Sequence, residues 1–122
     1  MTTRVIFYID IYLPNVYNEF IKKRKQGRMI KGFADKETEK VYHQKFSKKL
    51  PQTIQRVALR KLMMIDNAEN INDLRVPPAN HLEQLVGDRE GQYSIKINAQ
   101  YRICFTLHGQ NEFYDVEIVD YH

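Results

Sequence analysis

Apolar and polar positions alternate with period two through the last third of the chain. Tyr93, Ile95 and Ile97 alternate with Ser94, Lys96 and Asn98. Tyr101, Ile103, Phe105 and Leu107 alternate with Arg102, Cys104, Thr106 and His108. This is the pattern of half-buried strands. Gly87-Asp88-Arg89-Glu90-Gly91 and His108-Gly109-Gln110-Asn111 read as the turns between strands. A short strand over 82–86 precedes them, and a last strand over 113–119 leads into Asp120-Tyr121-His122. The preceding region has helical spacing. Asp35 is a candidate N-cap for a helix over 36–46, with Glu37 in its first turn. Pro51 suits the first turn of a second helix reaching about residue 68, with Ile54, Val57, Ala58, Leu62 and Ile65 as its apolar stripe. Met63 and Met64 read as core filler. Pro77-Pro78 marks the connector over 70–80. Helices followed by a run of strands predict an α+β domain.

Residues 1–28 read differently. A strand-like run over 3–13 is interrupted at Pro14, and Lys22-Lys23-Arg24-Lys25 leads to Gly27. The chain of 122 residues carries a formal net charge of +4. Six basic side chains against two acidic ones place that whole excess in residues 1–28, and residues 29–122 balance at thirteen of each sign. A nucleic-acid site in the body must therefore be a local arrangement of charge. The reading is an N-terminal extension over 1–28, with Met29 as a second beginning, and a domain over 29–122.

Length fits a single domain. No run is long enough to span a bilayer, so no membrane partner is expected. The lone Cys104 allows no intrachain disulfide and is compatible with a reducing cytoplasm. Phosphate-loop, dinucleotide and zinc-protease motifs are absent, and the histidines lack metal-ligand spacing, so no cofactor and no metal is expected.

What remains is a polar set on one sheet face. If the apolar residues of the two alternating strands face the helices, Lys96 and Arg102 face the other way, on the exposed side. A guanidinium fixed on a strand can bind a phosphate bidentately. Equally, Arg102 can simply pair with a carboxylate such as Glu117. The terminal Asp120-Tyr121-His122 puts an imidazole at the chain end, which is either a proton shuttle or a frayed tail.

Four ordered blocks carry a resemblance. They are Gly87-Asp88-Arg89-Glu90-Gly91, Tyr93-Ser94-Ile95, Tyr101-Arg102-Ile103-Cys104-Phe105 and the terminal Asp120-Tyr121-His122. Together with the start Met29-Ile30-Lys31-Gly32-Phe33, they resemble toxins of the HigB branch of the RelE superfamily over residues 29–122. The resemblance implies two N-terminal helices packed on a small, mainly antiparallel sheet. It implies a metal-independent endoribonuclease that cuts messenger RNA (mRNA) on the ribosome, by attack of the 2′-hydroxyl on the adjacent phosphate. Arg102 would stabilise the transition-state charge, His122 would be an acid or base, and Asp120 and Tyr121 would orient it or share the proton work. Arg89 and Lys96 would hold RNA phosphates, with His81 a further RNA contact. A helix-turn-helix antitoxin of the HigA type is the implied partner, and operator DNA would be met only through it.

One departure stands out. Some members carry a histidine four residues before the glycine of the Gly-Asp-Arg block, where this chain has Glu83. His81 lies two residues earlier, so the second proton-transfer group is left open between His81 and another residue. Two other readings share the pattern: a ParE-like toxin that inhibits gyrase, and a non-catalytic RNA- or ribosome-binding module.

Overall fold

The computed structural model describes residues 29–121. The expected extension over 1–28, with its strand-like run, and His122 lie outside the described residues. Among the described residues two helices precede the sheet: α1 (Lys36–Tyr42) and α2 (Gln52–Asn67). Four antiparallel strands follow in sequence order: β1 (Glu83–Gln84), β2 (Gln92–Lys96), β3 (Tyr101–His108) and β4 (Glu112–Asp120). Short 3-10 turns at Ile71–Arg75, Pro78–Asn80 and Gly87–Arg89 connect them. The α+β reading, with two helices ahead of an antiparallel sheet, is the observed architecture.

The chain from Met29 to Ala34 runs parallel to β4 and hydrogen-bonds to it. Lys31 N donates to Phe113 O at 2.8 Å and Ala34 N to Val116 O at 3.0 Å. Buried Asp66 of α2 fixes this segment from the helix side, accepting from Ile30 N and from the Tyr42 hydroxyl, each at 2.9 Å. Thr38 of α1 accepts from Ile118 N at 2.9 Å. Both helices are therefore tied to the sheet by polar contacts as well as by apolar packing.

The core lies between the helices and one sheet face. Ala58, Leu59, Leu62 and Ile65 of α2 meet Ile95, Ile103, Phe105 and Phe113 of the strands. The predicted α2 stripe is right except that Val57 is only half-buried. Met63 is buried and Met64 packs at the margin of the core.

Helix α1 is shorter than its pattern predicts. It ends at Tyr42, and Gln44 adopts a left-handed conformation at φ 64°. Lys45 N then bonds to Lys40 O at 2.7 Å and Gln44 N to Val41 O at 3.0 Å, a closed C-terminal cap. Phe46, expected inside the helix, is left 60% exposed. Strand β1 is also shorter than 82–86, because His81 at φ 46° and Gly87 at φ 68° turn the chain on either side of it.

Candidate functional site on the outer sheet face

Alternation sends Ser94, Lys96, Arg102 and Cys104 to the sheet face away from the helices. Ser94 stands opposite Cys104 in register, and Lys96 opposite Arg102. The shared face of Lys96 and Arg102 is as predicted, but the expected exposure of Arg102 is not. Arg102 is only 9% exposed. The segment carrying His81 lies over it, so the outer face is partly roofed.

The roof holds the guanidinium. Arg102 Nε donates to Ser94 Oγ at 2.7 Å, and Nη2 donates to the His81 carbonyl at 2.5 Å. Glu83 Oε1 lies 3.7 Å from Nη2, and the Tyr121 ring centroid lies 6.0 Å from Cζ. Nη1 has no hydrogen-bond partner among the described residues. A cation fixed through two of its three nitrogens, with the third unengaged, is suited to an incoming phosphate oxygen. The carboxylate beside Arg102 is thus Glu83 and not Glu117.

Glu117 belongs to a second pair on the same face. Arg89 Nη1 lies 3.4 Å from Glu117 Oε1 and donates to Gln92 Oε1 at 2.9 Å. Buried Cys104 stands opposite Glu117 in register. Burial pushes its thiol above the usual value, with smaller and opposing influences from Arg89 and Glu117. A shallow groove of about 410 Å³ runs along Val86, Asp88, Arg89, Val119, Asp120 and Tyr121. It joins Arg89 to the C-terminal end of β4, and Arg102 lies outside its lining.

The C-terminal residues divide between two faces. Asp115 at φ 53° is the extra residue of a bulge in β4, since Cys104 pairs with Glu117 but Thr106 with Tyr114. After the bulge Val116, Ile118 and Asp120 point to the helix side, and Glu117, Val119 and Tyr121 to the outer side. Asp120 accordingly sits opposite Tyr101 and accepts from Gln100 Nε2 at 3.1 and 3.2 Å. Tyr121 lies beside Arg102, and Asp120 is on the opposite face of the strand. His81 is the exposed left-handed residue that ends the Pro78–Asn80 turn, and it meets Arg102 through its carbonyl.

Sequence reasoning missed Ser94 and Glu83 as partners of Arg102. Parity with Lys96 points to Ser94. The His81 carbonyl leaves no side-chain signal at all. Asn80, fully buried, anchors this roof. Its Oδ1 accepts from Lys61 Nζ of α2, and its Nδ2 donates to Leu74 O at 3.1 Å. Burial lowers the Lys61 ammonium below the ordinary lysine value, and neighbouring Arg60 adds to this. Among the described residues no cluster has the composition of a metal site, and no helix is long and apolar enough to cross a membrane.

Two helices on a four-stranded antiparallel sheet, with a clamped arginine on its outer face, define a RelE-like α+β fold. Residues 31–122 match the family described as the RelE-like toxin of the type II toxin-antitoxin system HigB. Toxin HigB-1 of Vibrio cholerae is 40% identical over 74 residues, which is 60% of this chain and 78% of that protein. An uncharacterized protein of Haemophilus influenzae is 53% identical over 57 residues, 47% of this chain and 56% of that protein. The chain belongs to the HigB-like toxin family of type II toxin-antitoxin systems.

Proposed function

We propose that this chain is a metal-independent endoribonuclease that cuts mRNA on the ribosome and so inhibits translation. The observation that carries the reading is Arg102, held by Ser94 and the His81 carbonyl, with Nη1 unengaged among the described residues and Tyr121 beside it. In the proposed reaction the substrate's own 2′-hydroxyl attacks the adjacent phosphate, leaving a cyclic phosphate. Arg102 stabilises the charge that gathers on the phosphate oxygens. Tyr121 and His122 form the proton-donating end, and Asp120 shapes it from the opposite face through Gln100. Arg89 and Lys96 hold neighbouring RNA phosphates, and His81 offers an exposed imidazole at the rim. The balanced charge of residues 29–122 supports dependence on the ribosome, because affinity for free RNA comes from neutralised phosphates. The proposed setting is the cytoplasm, and the proposed partner is a HigA-like helix-turn-helix antitoxin.

The test is an in vitro translation reaction with full-length message, comparing wild type with His122→Ala. The expected result is cleavage of translated message by wild type, little cleavage of naked RNA, and little cleavage by the variant. Translation arrest with intact message in both reactions would favour a binding module. Unimpaired translation together with inhibited gyrase would favour a ParE-like activity.

A further inference from the structure

Among the described residues two cations are buried, Arg102 on β3 and Lys61 on α2, at 9% and 6% exposure. The proposed reaction uses the first and leaves the second without a task. Burial disfavours an ammonium, and here it holds the Lys61 amine below the ordinary lysine value. Its partner is the neutral amide of Asn80, and no carboxylate pairs with it among the described residues. A buried charge kept without an opposite charge works against stability. An apolar side chain of similar length would fill the same space without that penalty. Stability alone therefore does not explain why a lysine stands at this position.

Two other buried polar side chains of α2 show what such a residue does in this fold. Gln55 ties down the connector after α1, accepting from Ser47 N at 3.0 Å and donating to the Ser47 and Leu50 carbonyls at 2.8 Å. Asp66 holds Ile30 and Tyr42. Lys61 does the same for the roof. Its Nζ donates to Asn80 Oδ1, and Asn80 Nδ2 is thereby turned toward the Leu74 and Val76 carbonyls, at 3.1 and 3.4 Å. One residue further on, the backbone passes through the left-handed turn at His81, whose carbonyl accepts from Arg102 Nη2. The two buried cations thus stand at the ends of one short span: ammonium, amide, peptide, guanidinium. A long side chain with a donor at its tip suits the reach from helix to roof. Without that donor the Asn80 amide is free to reverse or rotate, and the carbonyl beside it shifts.

We propose that Lys61 is a positioning residue for Arg102, acting from the helix layer through Asn80 and the His81 carbonyl. The role rests on the endoribonuclease reading above. Lys61 itself touches no RNA. Its ammonium fixes the amide, the amide fixes the left-handed turn, and the carbonyl of that turn fixes Nη2, leaving Nη1 as the nitrogen for the phosphate. A misplacement of about 1 Å at a reacting centre costs about 100-fold in rate. A loosened roof is therefore felt in the rate before it is felt in folding.

The experiment uses the full chain on translated full-length message, with kcat, KM and Tm measured for each variant. Lys61→Met keeps a long unbranched side chain and removes the donor. It is expected to lose about tenfold or more in kcat, with KM changed by less than about threefold. Its Tm is expected to stay within about 6 °C of wild type, because losing the buried charge offsets the stranded amide oxygen. A residue that only stabilised the fold would lower Tm and leave kcat, measured well below the transition, unchanged. Lys61→Met/Asn80→Ala is expected to match the kcat of Asn80→Ala within about twofold, because the two residues act in series. Added to Arg102→Ala, Lys61→Met is expected to cost less than about twofold more, since the group it positions is gone. Near-normal kcat in Lys61→Met, a larger fall in Tm, losses that multiply with Asn80→Ala, or a further loss beyond Arg102→Ala would each overturn the assignment while leaving the endoribonuclease reading intact. A wild-type chain that leaves translated message uncut would overturn both.

Discussion

The roof over Arg102 depends on one buried amide, and removing it should damage both stability and the site. In Asn80→Ala, the Lys61 ammonium loses its partner and the Leu74 carbonyl loses its donor. A buried neutral group left unpaired costs about 1–3 kcal/mol and a charged one more, so the combined loss is about 3–5 kcal/mol. For a domain of this size each kcal/mol lowers Tm by about 4 °C or more, which predicts a fall of at least about 12 °C by thermal circular dichroism. Cleavage measured well below the transition should also fall, by about 10- to 100-fold, because the His81 carbonyl next to Asn80 no longer fixes Arg102. The double variant Lys61→Met/Asn80→Ala should regain about 1–3 kcal/mol, since no ammonium is then stranded, but it should not regain the cleavage rate. A drop of under about 4 °C in Asn80→Ala would refute the reasoning, by showing that water replaces the amide without loss.

The same lysine gives a pH signature with a definite sign. Its folded-state value is depressed below 10.5, so between the folded and unfolded values the unfolded chain binds more protons. Stability should therefore rise with pH through that alkaline window, and the destabilising contribution is fully present below it. Lys61→Met should abolish this rise relative to wild type in denaturant titrations at stepped pH.

Four further outcomes follow from the geometry. Arg102→Ala should lose at least about 100-fold in cleavage and, unlike an exposed substitution, also lower Tm, because Ser94 Oγ and the His81 carbonyl lose their donor; an activity loss fully explained by unfolding would remove Arg102 from the chemistry. Deleting His122 should cost at least about 100-fold in rate while Tm stays within about 2 °C, and a near-normal rate would end its proposed role. A chain beginning at Met29 should melt within about 4 °C of the full chain and cleave equally, and a large loss would make residues 1–28 part of the domain. Cys104→Ser should leave cleavage intact but lower stability by about 1–3 kcal/mol, because a hydroxyl replaces a fully buried thiol, and thiol alkylation of the wild type should be slow until denaturant is added.

Local pattern was enough where local geometry decides. The inward sets of β2 and β3 follow from alternation alone, and the α2 stripe from its helical period. Helix α1 ends earlier than its pattern predicts because its end is a left-handed cap formed by Gln44, where glycine would be the usual signal. The environment of Arg102 was hidden for a different reason. Strand parity assigns a side chain to a face but says nothing about what a distant segment lays over that face. The covering residues here come from 80–83, and the decisive contact is a backbone carbonyl. The family pattern drew attention to Arg102, while Ser94 and Glu83 became its partners only once β1 and β2 were in register.

The composition of the site finally rests on one inserted residue in β4. Phe113 faces the core, so unbroken alternation would send Glu117, Val119 and Tyr121 inward and Val116 and Ile118 outward. That would bury a carboxylate and expose two aliphatic side chains, which is unfavourable on both counts. Asp115, a residue type that tolerates the left-handed region, absorbs the extra step and reverses the parity of everything after it. Val116 and Ile118 return to the core, Glu117 meets Arg89, and Tyr121 comes over Arg102. The spacing Phe113, Val116, Ile118 already breaks the period of two, so the sequence contains the signal. Hydrophobic burial in the middle of the strand thereby determines which C-terminal residue shares a face with Arg102.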